Sequence, residues 1–530
     1  MTPNNQRYPL GIQTFERIIN EEYVYIDKTD LVWEMANATT YAFLSRPRRF
    51  GKSLLTTTLK SYFEGRRELF EGLKIMQHET QWQQYPVLHI DLSVAKGQDG
   101  PDGLRDRLNL LVSRMGEPYG IDNNELSPGS KFEGIIKRAF EQTGKQVVIL
   151  IDEYDAPLLD VLHEDSMLDK MRRVMQEFYQ TLKASEAMIR FCFITGITKF
   201  SQLSIFSTLN NITNISMEPR FATVCGITDN ELHTVLDYGV EQLAAAEKLT
   251  KEEMYSELRN YYDGYHFAKD SEGVYNPFSL LSALMKKELD LYWFSTGTPS
   301  FLLKQMKRFK TDITGLDEIK APATAFDQPT ENMQDALPLL YQSGYLTIKG
   351  YEHRSRTYSL AIPNQEVRAG FVSNMLYSYT NIKSRDAQIG FALKFWDALT
   401  DNDINLAMDE LKAYLAGIPY VEGFKEKLND AATREGFYEY TLYLIFSMLN
   451  CYVRTQVKCR GGDIDMVVLM PDTTYIFEFK VKGSAEAALR QIEEKGYAKP
   501  FYTEGRAVVK VGVSFDTDTW TVKEYLTQRQ

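Results

Sequence analysis

Between about Tyr23 and Gly226 the chain alternates short apolar runs with longer amphipathic stretches. The runs Tyr41–Leu44, Val87–Asp91, Val147–Asp152 and Arg190–Thr195 have the length and composition of strands. Ser53–Phe63 and Leu168–Ala184 carry apolar residues at helical spacing. Strands alternating with helices predict parallel pairing through crossover helices, so this part reads as an α/β sheet covered on both faces, a three-layer sandwich.

From about Thr228 to Thr330 the period is mostly helical, as in Asp229–Leu249 and Lys251–Tyr262, with a turn-rich, aromatic stretch at Asp263–Phe278. A helix over Met333–Ser343 followed by GYLTIKG, the turn EHRSR and TYSLAIPN predicts a helix and hairpin, a winged-helix-like unit. Such a wing reads as a structural lid more readily than as a DNA reader. Gln365–Phe424 is helical again, and a last α/β unit starts near Arg434. The expected divisions are 1–226, 227–330 (helical lid), 331–424 (wing and helical linker) and 425–530.

A chain of 530 residues exceeds one ordinary hydrophobic core. Its 44% hydrophobic and 25% charged content is that of a soluble globular protein, expected to be cytoplasmic. No apolar stretch approaches the roughly 20 residues needed to cross a bilayer, so no membrane partner is expected. Cys192, Cys225, Cys451 and Cys459 are scattered, which fits reduced thiols and gives no support to a structural zinc site. The net charge of −12 argues against nonspecific coating of nucleic acid, while leaving room for a local basic groove.

The segment YAFLSRPRRFGKSLLTTTLKSYF reads strand, loop, helix. In a phosphate-binding loop, backbone N–H groups wrap the phosphates, a Lys neutralises charge and a Ser or Thr hydroxyl meets Mg²⁺ at a helix start. Gly51, Lys52 and Ser53 supply those last positions, and Arg48, Arg49, Phe50 and Leu54 flank them as candidate nucleotide contacts. The usual pattern asks for Gly where Arg46 stands. Arg lacks glycine's freedom at positive φ, so the loop is expected to turn differently or less tightly.

A second element is VVILIDEYD, an apolar strand ending in Asp152 and Glu153. Two carboxylates on a buried strand end are costly unless they meet a cation. They suit an ATPase in which Asp152 holds Mg²⁺ and Glu153 polarises the attacking water. The strand RFCFITGITKFS ends in Thr195 and Thr198, which are either γ-phosphate sensors or turn-forming and capping threonines.

RPRRFGKS, LIDEYD and TGITKFS…IFSTLNN, with YVYIDKT upstream and YDGYHF…VYNPFS downstream, resemble the predicted AAA-ATPase-like family of bacteria. The resemblance spans about Pro9 to Pro299 and implies an ATP-binding, ATP-hydrolysing module. The family carries the RPRRFGKS variant, so Arg48 and Arg49 are either phosphate contacts or a basic surface patch. Arg220 is one candidate for an arginine finger. His266 of DGYHF reads as a packing or hydrogen-bonding residue.

Near the C-terminus, CRGGDIDMVVLMPDTTYIFEFKVK reads strand, turn, strand. Glu478 and Lys480, two apart, share one strand face, and Asp465 on the adjoining strand can reach the same edge. Two acids and a lysine there suit metal-assisted phosphodiester cleavage with Asp465 and Glu478 as metal ligands, although E-F-K also arises as simple same-face charge pairing. The segment from about Glu435 to Ser514 resembles the PD-(D/E)XK nuclease superfamily, a restriction-endonuclease-like fold. That resemblance implies roles for Glu435 as the helical acid and Gln491 on the following helix, beside Asp465, Glu478 and Lys480. A strict Gln-x-x-x-Tyr pattern is absent, and Gln491 is otherwise a solvated helix position.

The expected function is an ATP-binding and ATP-hydrolysing module that regulates or drives a nuclease on the same chain. The nuclease is expected to use Mg²⁺ or Mn²⁺ on DNA, with a homo-oligomer as one form of assembly. The alternative is a nucleotide-dependent switch or nucleic-acid-binding protein with an inactive nuclease domain.

Overall fold

The computed structural model describes residues 6–95, 100–122, 124–199, 212–293, 300–309, 311, 316, 319–329, 333–380, 385–416, 456–458, 466–470, 472–480, 483–502, 505–516 and 521–529. The chain forms two compact units, Met1–Thr311 with Leu316–Glu366, and Asp312–Gly315 with Val367–Gln530.

In the first unit, β1 (Tyr41–Ser45), β2 (Val87–Asp91), β3 (Val147–Asp152), β4 (Ile189–Gly196) and β5 (Thr213–Asn214) form one sheet in the order β2-β3-β4-β1-β5. Every pairing is parallel. β1 and β3 are buried at every residue and β4 at nearly every one, as strands covered on both faces must be. The expected strand positions hold to within about a residue at each end. The helix Lys52–Phe63 follows β1. The helices Gly100–Gly116, Pro128–Thr143 and Asp165–Ala184 pack on one another.

Beyond the sheet, β6 (Ile227–Thr228) pairs antiparallel with β7 (Val274–Tyr275). The expected helix Asp229–Leu249 is two, Asp229–Val235 and Asp237–Glu247. Between them, Leu236 leaves helical geometry at φ −107°, ψ 3°, while Asp237 binds Lys251 and Tyr255 on the next helix. A long-range pairing thus competes with a continuous apolar period. Leu232, Leu243, Leu258 and Leu280 close this helical core.

The expected hairpin is β9 (Thr347–Glu352) with β10 (Thr357–Ala361), and β8 (Ile319–Ala321) adds a third strand on the far side of β10. Three residues of alternating pattern are too few to announce a strand. The preceding helix is shorter than expected, Leu337–Gln342, with Pro338 in its first turn. Compactness places this small sheet with the first unit and the helices after Glu366 with the second.

In the second unit, β11 (Gln456–Lys458), β12 (Met466–Leu469), β13 (Thr473–Lys480), β14 (Ala507–Asp516) and β15 (Thr521–Arg529) form a mixed sheet in chain order. Only β13 and β14 are parallel, joined through the helix Ala485–Glu494. That helix packs over Ile476 and Val508 through Ile492. The opposite face carries Tyr475, whose hydroxyl donates to Leu399 O at 3.1 Å, from the helix Arg385–Thr400.

Candidate active sites

The loop after β1 is held from behind by residues far away in sequence. Arg46 is 1% exposed. Its Nη1 donates to Ser45 O (2.9 Å) and Ser216 O (2.8 Å), and its Nη2 donates to Phe221 O (3.0 Å). Burial lowers its pKa to about 10. Arg46 is not among the residues with positive φ; Arg49 (69°) and Gly51 (86°) are. The turn is therefore made later in the loop than the usual glycine would make it, and Arg46 serves as an internal clamp. Phe50 packs edge-on against Tyr265 and Phe267 of the DGYHF segment, at centroid distances of 4.8 and 5.3 Å. The exposed Arg49 guanidinium lies 4.5 Å over the Phe278 ring of NPFS. Arg48 is exposed, and its carbonyl accepts Trp293 Nε1 at 3.3 Å. The distant sequence motifs of the first unit thus meet at one loop.

Gly51 caps the helix in left-handed geometry, with Lys52 and Ser53 in its first turn. Lys52 is buried, and its Nζ donates to Arg46 O and Pro47 O, both at 3.0 Å. Burial lowers its pKa, opposed by the nearby Asp152, Glu153 and Asp155 carboxylates. Ser53 and Leu54 are half-buried. Beside Phe50, Gly51 and Leu54 lies a cavity of about 100 Å³, walled by Val24, Ile26 and Ile227 among others. Lys28 of the YVYIDKT segment borders it and pairs with Glu231 at 2.6 Å.

Asp152 ends β3, 3% exposed, and its Oδ1 accepts Glu153 N at 2.9 Å. Glu153 stands at φ +48°, a left-handed conformation that a long side chain adopts only when its surroundings impose it. Burial raises its pKa, with Lys52 opposing and Asp152 and Asp155 reinforcing. Asp155 was not singled out from the sequence. Its Oδ2 accepts Ile197 N (3.0 Å), Thr198 N (2.7 Å) and Thr198 Oγ1 (2.7 Å). The third carboxylate of DEYD, facing an amide-rich turn after β4, was the available signal. Thr195 Oγ1 donates to Leu44 O at 2.7 Å. Both threonine hydroxyls therefore already donate within the protein. Arg220 is exposed and held by Glu218 at 2.8 Å. His266 Nδ1 lies 2.8 Å from Ser271 O, a local hydrogen bond.

In the second unit, Glu478 is 2% exposed and Lys480 half-buried on the same face of β13. Lys480 Nζ donates to Glu478 Oε1 at 3.2 Å and to Gln491 Oε1 at 2.7 Å. The helix Ala485–Glu494 thus brings Gln491 onto the E-x-K pair. Glu435 and Asp465 lie outside the described residues, as do Cys451 and Cys459. Among the described residues, no helix is long and apolar enough to cross a membrane, and Cys192 and Cys225 are buried free thiols.

Residues 9–206 match the family model of the predicted AAA-ATPases, and residues 433–525 match that of the PD-(D/E)XK nuclease superfamily. An uncharacterized protein in the vnfD 5′ region of Azotobacter chroococcum mcd 1 is 32% identical over 534 residues, which cover 99% of each chain. The chain belongs to the predicted AAA-ATPase family and carries a C-terminal domain of the PD-(D/E)XK nuclease superfamily.

Proposed function

We propose that the protein binds and hydrolyses ATP at the loop ending in Gly51-Lys52-Ser53, and that this cycle governs a metal-dependent nuclease in the second unit that cuts DNA. In this reading the apolar cavity beside Leu54 receives the base, and Lys52 and the helix start face the phosphates. The Ser53 hydroxyl and the Asp152 carboxylate are hard oxygen donors of the kind Mg²⁺ takes. Glu153 orients the attacking water, its side chain aimed by an imposed backbone turn.

The observation that carries the nuclease half is the position of Lys480 Nζ, shared between Glu478 and Gln491. A lysine fixed beside a buried carboxylate can stabilise charge on a phosphate and hold a water in place. Glu478 is the described carboxylate that would contribute to holding Mg²⁺ or Mn²⁺, with Asp465 and Glu435 as the remaining acids of the set. The bound metal would supply Lewis acidity.

The test incubates the purified full-length protein with single- and double-stranded DNA and RNA, with and without ATP, in Mg²⁺, Mn²⁺ or EDTA. Metal-dependent DNA cleavage that disappears in Glu478→Ala and in Lys480→Ala is expected. Cleavage retained in both variants sinks the assignment. ATP binding with no cleavage under any condition returns the protein to the nucleotide-dependent switch.

A further inference from the structure

β14 runs parallel to β13 with Gly512 beside Glu478 and Ser514 beside Lys480. A Cβ on Gly512 would overlap the carbonyl oxygen of Ala485 and lie 2.8 Å from Leu489 N. Both are backbone atoms of the helix Ala485–Glu494, so no side-chain rotation relieves the clash. The helix sits this close to the sheet because residue 512 has no side chain. Two further contacts fix its start. Ser514 Oγ donates to Gly483 O at 2.7 Å, in the turn that leads from β13 to the helix. Glu524, the register partner of Ser514 on β15, accepts Ala485 N through Oε1 at 3.0 Å. Two residues beyond Leu489, the helix delivers Gln491 to Lys480 Nζ at 2.7 Å.

We infer that Gly512 and Ser514 are positioning residues of the nuclease site, seating this helix so that Gln491 holds Lys480, an assignment that rests on the nuclease reading of Glu478 and Lys480. Lys480 hangs on a flexible four-carbon stem, and its side chain keeps much of its rotamer freedom unless a partner fixes it. Displacing the helix by the radius of one methyl group breaks the Gln491 contact and frees the ammonium to swing from the Glu478 edge. A shift of about 1 Å in a catalytic group lowers turnover by up to about 100-fold. Gly512 acts through the helix, so its effect and that of Gln491 are one effect.

The test compares full-length Gly512→Ala, Gln491→Ala and the double variant. Each single variant is expected to lower kcat for DNA cleavage by about 10- to 100-fold with KM within about twofold. The double variant is expected to be no worse than the weaker single, because both substitutions break one contact. Wild-type turnover in Gly512→Ala, or effects that multiply in the double variant, overturns the inference. A second readout needs no catalysis: lysine amines are labelled by reductive ¹³C-methylation, and the Lys480 resonance is identified by its loss in Lys480→Arg. That resonance is expected to move in the same direction in Gly512→Ala and in Gln491→Ala. If the wild-type protein cleaves nothing, the nuclease reading falls, yet a moved Lys480 signal still upholds the seating. An unmoved signal in Gly512→Ala overturns it in either case. Should Gly512→Ala fail to fold, Ser514→Ala, which removes the tether without adding volume, is read by the same two measurements, and an unmoved Lys480 signal there overturns the inference.

Discussion

The Arg46 guanidinium lies 4.1 Å from the centroid of the Phe267 ring, face-on. The pairing joins the first residue of the loop after β1 to an aromatic segment more than two hundred positions away. With three donated hydrogen bonds to main-chain carbonyls, it makes Arg46 part of the interior. Arg46→Gly would restore the commoner loop sequence and leave Ser216 O and Phe221 O without their buried donor. A loss of about 2–4 kcal/mol is expected, with no gain in ATP affinity. Denaturant unfolding and ATP titration of the variant check this. Unchanged stability with tighter ATP binding would return Arg46 to the role of a misfit.

Glu153 leads to a different kind of test, because its backbone and its carboxylate pull in opposite directions. Glu153→Gln keeps the shape and removes the charge. ATP binding is expected to persist while hydrolysis falls by about 100-fold or more. Glu153→Gly removes the side chain from a left-handed position, where glycine is unstrained. Stability there is expected to hold or to rise by up to about 1 kcal/mol, with hydrolysis lost. A Gly variant that unfolds more readily than the wild type contradicts strain stored at this turn.

The legible parts of this molecule are those whose signal is local. Strand β3 could be read because six consecutive apolar-to-acidic residues have one interpretation, and the spacing of Glu478 and Lys480 alone fixes them to one face. Arg46 was legible only as a departure from a pattern. The loop's turn is made at Arg49 and Gly51, and the Arg46 side chain is held by carbonyls at 216 and 221 that no local window contains. Asp155 was missed because its partners, Ile197 N and Thr198, lie on another strand's exit loop. β8 escaped notice because pairing with β10, not its own three residues, makes it a strand. Gly512 reads in sequence as a small residue in an apolar run, and only the helix above it shows why it is small.

Glu366 offers a pH signature that stems from burial. It is 1% exposed, and its Oε1 accepts Trp293 N at 2.7 Å. The indole of that Trp293 in turn donates to Arg48 O in the loop after β1. Burial raises the Glu366 pKa to about 7; hydrogen bonds from Trp293 N, Tyr292 N and Ser279 oppose the rise, and Asp290 adds to it. In the unfolded chain the carboxyl ionises near the ordinary 4.5. Below that pH both states are protonated and the native state keeps its full stability. As pH climbs toward 7 the unfolded chain releases its proton first, so native stability falls, and above 7 the loss is complete. A shift of this size corresponds to about 3 kcal/mol. Glu366→Gln preserves the acceptor for Trp293 N and removes the titration. Its denaturation midpoint is expected to exceed that of the wild type at pH 8 and to converge with it near pH 4. Other groups titrate equally in both proteins and cancel in the difference. Parallel profiles across this range would show that Glu366 stays ionised in the native state.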